Sequence, residues 1–276
     1  MSRPSSEELA ELALTVAGAA GRLIRERRAG RVTVADTKTS ATDVVTEVDR
    51  EVERLVRSML AEARPHDGVV GEEGADRAGD SGVRWIVDPI DGTVNFLYGI
   101  PQYAVSVAAE MDGTVVAGVV LDVARETAYV GRRAAGPDGR AAVRAWRDGM
   151  PIEVRAPAPL AQRLIGTGFS YDAGIRTLQA RAVAALLPRV RDIRRFGSCA
   201  LDLCHVAEGL LDGYVEEGVH LWDFAAGALI AEGAGARLEC TPGVGGQELL
   251  LCAPGHGFDE LRKAVQDAGF LADSGE

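Results

Sequence analysis

The chain is short of lysine, cysteine, aromatic residues and positive charge. Only Lys38 and Lys263 interrupt a basic complement of 30 that is otherwise arginine. That skew reads as compositional drift, which makes the survival of Lys38 conspicuous. Four cysteines, Cys199, Cys204, Cys240 and Cys252, form no CxxC pair and are too few for a disulfide framework. Reduced thiols suit a cytoplasmic setting. Glu7, Glu8 and Glu11 stand where a secretory signal would be apolar. No run reaches the roughly 18 apolar residues that a membrane span needs, so no membrane partner is expected. The 30 basic residues face 41 acidic ones, for a net charge of −11. Such a balance repels phosphate backbones and argues against nucleic acid as a partner. A protein this acidic would need bound cations to handle phosphates. The histidines His66, His205, His220 and His256 have no zinc-site spacing.

What remains is ordinary globular material: 276 residues, 47% apolar and 26% charged. The length suits one large or two medium domains. Helical spacing predicts an amphipathic helix over 6–28, opened by a Ser5/Glu8 capping box. A short extended stretch is predicted at 31–35, a polar loop at 38–43 and a second helix at 44–63. Short strands at 69–70 and 85–87 follow, then a helix at 93–98 and strands at 103–110, 114–121 and 126–132. Asp112-Gly113 is a hairpin signal. The stretch 134–150 reads as a loop or weak hairpin. Pro157 and Pro159 mark a boundary, giving halves 1–155 and 156–276. Beyond it strands (163–167, 192–195, 211–216, 236–240, 248–253) alternate with helices (174–187, 198–209, 223–234, 258–268). The alternation predicts a layered α/β fold.

Four segments carry potential chemistry. In Trp85-Ile-Val-Asp-Pro-Ile-Asp-Gly-Thr-Val-Asn-Phe96, a β-rich run delivers Asp88 and Asp91 three residues apart. Pro89 stiffens the bend between them. Such a bend can turn both carboxylates and an intervening carbonyl towards one point, which suits Mg²⁺. Gly92 permits close backbone approach, and Thr93 opens a helix whose N–H groups favour phosphate. Val69-Val-Gly-Glu72-Glu73-Gly74 places adjacent acids between glycines. His220-Leu-Trp-Asp223 precedes a helix, and Thr46-Glu-Val-Asp49 lies in another. Each has a plainer explanation taken alone: turn and cap residues at 88–91, a solvated acidic turn at 72–73, an N-cap at Asp223, a solvated helix acid at Asp49.

Together, in this order and spacing, these segments resemble the inositol monophosphatase family of Mg²⁺-dependent, Li⁺-sensitive phosphatases. The match rests on GEEG at 71–74, WIVDPIDGTVNF at 85–96, WDFAAG at 222–227 and Thr46 to Asp49. It looks most like the bacterial inositol-1-monophosphatase branch, which Val94-Asn95-Phe96 and Gly166-Thr-Gly-Phe169 also suit. The resemblance implies an αβαβα sandwich of two halves, with most metal ligands in the first. Glu72, Asp88 and the Ile90 carbonyl would hold one Mg²⁺. Asp88, Asp91 and Asp223 would hold a second, and Glu72 would face a third. Asp49 and Thr93, with Glu72 nearby, would activate water for in-line attack. Gly92 and Thr93 would bind phosphate, and Lys38 would assist from a loop. Gly197, Ser198, Cys199 and Glu216 would bind the substrate; Cys199 replaces the family's usual alanine, and its own chemistry reads as that of a buried apolar side chain. The expected substrate is a small phosphorylated polyol, inositol 1-phosphate first. A homodimer is also implied.

Two other readings stay open. Relatives hydrolyse histidinol phosphate, fructose 1,6-bisphosphate or 3′-phosphoadenosine nucleotides, and a bisphosphate would call for extra bases such as Arg194 and Arg195. Some bacterial relatives are regulatory binding proteins, against which the full set Asp49, Glu72, Asp88, Asp91 and Asp223 argues.

Overall fold

Two mixed β-sheets interleave with three layers of helix in a computed structural model that describes residues 3–28, 34–37, 44–135 and 141–272. The first stretch contributes α1 (Ser6–Arg28), a ribbon of β1 (Val34–Thr37) and β2 (Val44–Thr46), and α2 (Glu47–Ala63). Next come β3 (Gly68–Gly71), β4 (Val83–Asp91), α3 (Thr93–Tyr98), β5 (Ala104–Met111), β6 (Thr114–Asp122), β7 (Thr127–Ala135), β8 (Ala141–Arg147) and β9 (Met150–Pro151). They form a sheet in sequential order β3 to β9. The remainder comprises β10 (Leu164–Thr167), α4 (Ala173–Leu186), β11 (Asp192–Arg194), α5 (Cys199–Ala207), β12 (Gly213–Glu217), α6 (Leu221–Gly233), β13 (Ala236–Pro242), β14 (Glu248–Pro254) and α7 (Phe258–Asp267). The second sheet has the order β11-β10-β12-β14-β13.

Side-chain alternation explains the layers. Along β4, Trp85 and Val87 enter a core with α1 and α2, while Ile86 enters a second core with α5 and α6. On β12, Tyr214 joins that middle core and Val215 a third one against α4 and α7. Both sheets are therefore buried on two faces, giving the αβαβα sandwich. The middle layer is thin because backbones touch. A Cβ on Gly118 would lie 2.9 Å from the Cα of Ala226, and one on Gly131 2.9 Å from the Ile230 nitrogen. These bare positions seat α6 directly on the first sheet.

Most predicted elements form, with differences at the boundaries. The Ser5/Glu8 capping box opens α1, and Asp112 and Gly113 turn the β5–β6 hairpin with positive φ. The second helix begins at Glu47, because residues 44–46 pair as β2 and Thr46 caps α2. The 134–150 stretch is more ordered than expected: β7 continues to Ala135 and β8 pairs along it through seven partners. Ala145 is buried, and Gly233 at the end of α6 packs against the backbone of Arg144 and Ala145, so tertiary packing fixes this strand. The predicted loop at 38–43 and part of the stretch at 31–35 lie outside the described residues. Among the described residues, no helix is long and apolar enough to cross a membrane.

Candidate active site

The site grows from a fault in β4. Its pairing with β5 runs regularly to Asp88, opposite Ser106, and resumes at Asp91, opposite Ala104. Three residues advance on β4 against two on β5, which is a bulge, and it contains Pro89, which has no N–H to pair. Asp88 and Asp91 consequently both line one cavity instead of alternating across the sheet. The bend is held locally by the Ile90 N–H, which donates to Asp88 Oδ1 at 3.0 Å. Gly92 then turns with φ +92°, where a Cβ would press on the carbonyls of Gln102 and Gly197 at 2.9 and 3.1 Å. Thr93 starts α3 immediately after it.

Asp91 does not cap the helix that follows it. Its carboxylate crosses to α5, accepting from the Ser198 hydroxyl, from the Ala200 N–H at 2.8 Å and from the Cys199 N–H at 3.3 Å. The acid is placed at the positive end of a helix from the other sheet's layer. Burial nevertheless pushes its pKa up to about 7. Asn95 adds a second tie, donating from its amide to the Gln102 and Phe196 carbonyls at 2.8 Å each.

Asp49 is buried completely. Thr46 and Asp49 form the capping box of α2, with the Thr46 N–H donating to Asp49 Oδ2 at 2.9 Å. The other oxygen, Oδ1, accepts from the Thr93 hydroxyl at 3.0 Å. That hydroxyl also lies 2.9 Å from the Ile90 carbonyl. Burial raises the Asp49 pKa, partly offset by the Thr46 bonds. Asp223 is the third residue of α6, not its N-cap; it reaches back to the N–H of His220 at 2.6 Å. The rings of His220 and Trp222 stack at 4.9 Å beside it. Removal from water pushes Asp88 and Asp223 well above the usual carboxylate range, and facing Glu72 and Asp91 charges push the same way.

The cavity holds about 390 Å³ and is lined by Glu72, Asp88, Ile90, Asp91, Gly92, Thr93, Gly197, Cys199, Glu216 and Asp223. Of the expected site residues, Ser198 and Asp49 sit behind this lining, Ser198 bonded to Asp91 and Asp49 to Thr93. Lys38 lies outside the described residues. Glu216 accepts from the Tyr214 hydroxyl and lies over the bare Cα of Gly168, where a Cβ would fall 1.9 Å from its carboxyl carbon. Burial pushes the Cys199 thiol well up, which removes it as a nucleophile at neutral pH.

The sequence assigns Asn95 and Tyr214 no individual role, and Arg195 only that of an extra base for a bisphosphate. Arg195 lines the cavity and lies against Gly197, where a Cβ would meet its Nη1 at 2.1 Å. Tyr214 and Asn95 position other site groups. Asn95 lies within the 85–96 motif, but its partner Phe196 is 101 residues away, and no motif marks the Tyr214–Glu216 pair on β12.

The donor set is all oxygen and largely anionic, and among the described residues Arg195 is the only arginine or lysine lining the cavity. Its mutual repulsion is what a hard divalent cation would relieve. Among the described residues, no three acidic, histidine or cysteine side chains already close around a common point. The fit is therefore one of donor chemistry and shared cavity, with Asp88, Asp91, Asp223 and Glu216 each also held by a protein donor.

Comparison with known proteins shows similarity along nearly the whole chain. The sequence profile of the inositol monophosphatase family matches residues 5–268. The inositol-1-monophosphatase SuhB of Mycobacterium tuberculosis H37Rv is 45% identical, across 96% of this chain and 97% of that protein. The Nus factor SuhB of Pasteurella multocida is 35% identical, across 81% and 82%. The crystal structure of the extragenic suppressor protein suhB from Bartonella henselae superposes with a TM-score of 0.83 at 31% identity, covering 94% of this chain and 98% of that one.

Proposed function

The chain belongs to the inositol monophosphatase family of phosphatases, and from that membership and the geometry above we propose that it is a Mg²⁺-dependent phosphomonoesterase. Its proposed substrate is inositol 1-phosphate or a similarly small polyol phosphate. The observation that carries this reading is the acid floor of the cavity: Glu72, Asp88, Asp91 and Asp223 line it together, beside the Thr93–Asp49 pair. Glu72, Asp88 and the Ile90 carbonyl would hold one Mg²⁺, Asp88, Asp91 and Asp223 a second, and Glu72 a third. Bound there, the ions would neutralise phosphate oxygens and acidify water.

The chain's own residues do the rest. Thr93 Oγ1 accepts a proton from water while passing its own to Asp49 Oδ1. Burial makes Asp49 a stronger base than a solvated aspartate, and Thr46 keeps its other oxygen occupied. The water oxygen bonds to phosphorus as the ester P–O bond breaks, and the departing alkoxide takes a proton from solvent. The N–H groups of Gly92 and Thr93 are the proposed phosphate donors. The carboxylate of Glu216 and the backbone at Gly197 and Cys199 would take the polyol hydroxyls, while Ser198 orients Asp91. In this reading residues 1–155 supply most acids, and residues 156–276 supply Asp223 and the leaving-group wall. A homodimer in the cytoplasm belongs to the same proposal.

Phosphate release with Mg²⁺ tests it, using inositol 1-phosphate, histidinol phosphate, fructose 1,6-bisphosphate and a 3′,5′-nucleotide bisphosphate, each with and without Li⁺. Preference for inositol 1-phosphate, abolished by EDTA, is expected. Preference elsewhere replaces the substrate and keeps the chemistry. No release from any would overturn the reading in favour of a partner-binding role of the kind that the Nus factor name denotes.

A further inference from the structure

Asp49 has two companions on its own face of α2. Residues 49, 53 and 57 recur every four positions, so their side chains stack along one stripe at about 6 Å intervals. Glu53 is 3% exposed, and its Oε1 accepts from Arg57 Nε at 2.6 Å. The pair then grips the turn that carries Glu72. Glu53 Oε2 accepts the N–H of Glu73 at 2.7 Å. Arg57 Nη1 and Nη2 donate to the carbonyls of Ala75 and Gly74 at 3.1 and 3.2 Å. The two glycines that flank the acids complete the fit. A Cβ on either Gly71 or Gly74 would lie 2.7 Å from Glu53 Oε1, so a side chain at either place would push the pair off the turn.

We propose that the Glu53–Arg57 pair positions Glu72 for metal binding, so that α2 sets the spacing between the Thr93–Asp49 pair and the first metal ligand. The inference rests on the reading of Glu72 as a ligand. One rigid helix thus presents Asp49 to Thr93 and, one turn later, clamps the Glu72 turn through three hydrogen bonds to its backbone. It also gives the glycines of the 71–74 segment a physical reason: they make room for the clamp. A buried ion pair is weak evidence for stability by itself, because desolvation offsets the attraction. Three backbone bonds to one turn are what a positioning role requires.

The test is Mn²⁺ binding to the full chain without substrate, read by calorimetry, with hydrogen exchange at the Glu73 amide and thermal melting of the metal-free protein as companions. Glu53→Ala and Arg57→Met should each weaken Mn²⁺ about tenfold or more, the usual effect of removing a group that orients a ligand. The Glu73 amide should exchange faster in Glu53→Ala. Glu53→Gln should recover part of the affinity, since its amide oxygen can still accept the Glu73 N–H. Folded variants that bind Mn²⁺ within about twofold of the parent would overturn the proposal, as would losses that merely track unfolding. Should Glu53→Ala not fold, Arg57→Met decides, because that side chain is 22% exposed. Glu72→Gln separates the premises: unchanged Mn²⁺ affinity there removes Glu72 as a ligand and the inference with it, whereas a loss there without a loss at 53 and 57 removes the inference alone.

Discussion

At the floor of the cavity Asp88 and Asp91, and behind it Asp49, are buried, and each accepts from named protein donors. At the opposite wall, Arg195 is exposed and makes no ion pair or hydrogen bond among the described residues, and Tyr171 beside it is 40% exposed. The floor is drawn from short segments whose neighbours in sequence are neighbours in space: 88–93 with its bulge and turn, and the capping boxes of α2 and α6. The wall is assembled from residues 169–172, from Arg195, Gly197 and Cys199, from residues 216–219 and from Gln247, which are brought together by the second sheet and its helices. Chemistry that every substrate shares can sit on a locally determined floor. On the proposed reading, discrimination among leaving groups would fall to the wall.

Removing one floor charge is the harshest test of this contrast. Asp91→Asn keeps an oxygen for the Ala200 N–H but deletes the negative charge. We expect kcat to fall about 10³-fold or more, with melting temperature in EDTA unchanged or higher, because a repelled buried charge has gone. A loss of less than about tenfold would mean that Asp91 serves chiefly to cap α5. Thr93→Val comes next. It removes the hydroxyl that joins Asp49 to the Ile90 carbonyl while preserving shape. The expected loss in kcat is about 10²-fold, with Mn²⁺ affinity held. An equal loss of metal affinity would move Thr93 from proton handling to scaffolding.

The same contrast explains what the sequence disclosed. The bulged segment 85–93 announces its carboxylates because Pro89, Gly92 and two aspartates are all local. The strand at 85–87 was legible from its β-rich residues, and α1 and α2 from their helical periods, whereas the two-faced burial of β4 was not announced. The order of β8 was hidden: a run rich in alanine, glycine and arginine has weak strand propensity, and only packing under Gly233 fixes it. The crossing of Asp91 to α5 was hidden for another reason. A cap read from sequence is assumed to serve its own helix, whereas this one serves a helix 108 residues away. Glu53 and Arg57 had a signal, the four-residue period with Asp49, but such pairs are common on solvated faces.

The floor's repulsion also predicts a pH response. Asp91 titrates near 7 in the fold against 3.8 when unperturbed. A raised carboxylate pKa contributes stability that is present at low pH and is lost as pH rises through 7. His205 works oppositely, since burial lowers its pKa below 6.5 and it loses stability on acidification. That opposing effect fades above pH 6.5 and ends about one pH unit higher, once the unfolded imidazole has lost its proton. In EDTA, melting temperature should therefore fall from pH 6.5 to about 8. Mg²⁺ should raise it most at the upper end, where the carboxylates are ionised and bind best. A melting temperature that rises with pH in EDTA would contradict the cluster's repulsion.

The smallest expected effect belongs to the wall. Among the described residues Arg195 is the only arginine or lysine lining the cavity, and Glu216 and Asp202 feel its charge through space without contact. Arg195→Met keeps the stem that lies over Gly197 and deletes the cation. If the wall sorts leaving groups by charge, KM for fructose 1,6-bisphosphate should rise roughly tenfold, the lower range for one charge-assisted hydrogen bond. KM for inositol 1-phosphate should stay within about twofold, because a neutral polyol offers that cation little. Low ionic strength should widen the gap, since an exposed charge is screened by salt. An equal rise for both substrates would instead make Arg195 a counter-charge that keeps Glu216 ionised for hydroxyl recognition, and would place the wall under the same fixed-charge logic as the floor.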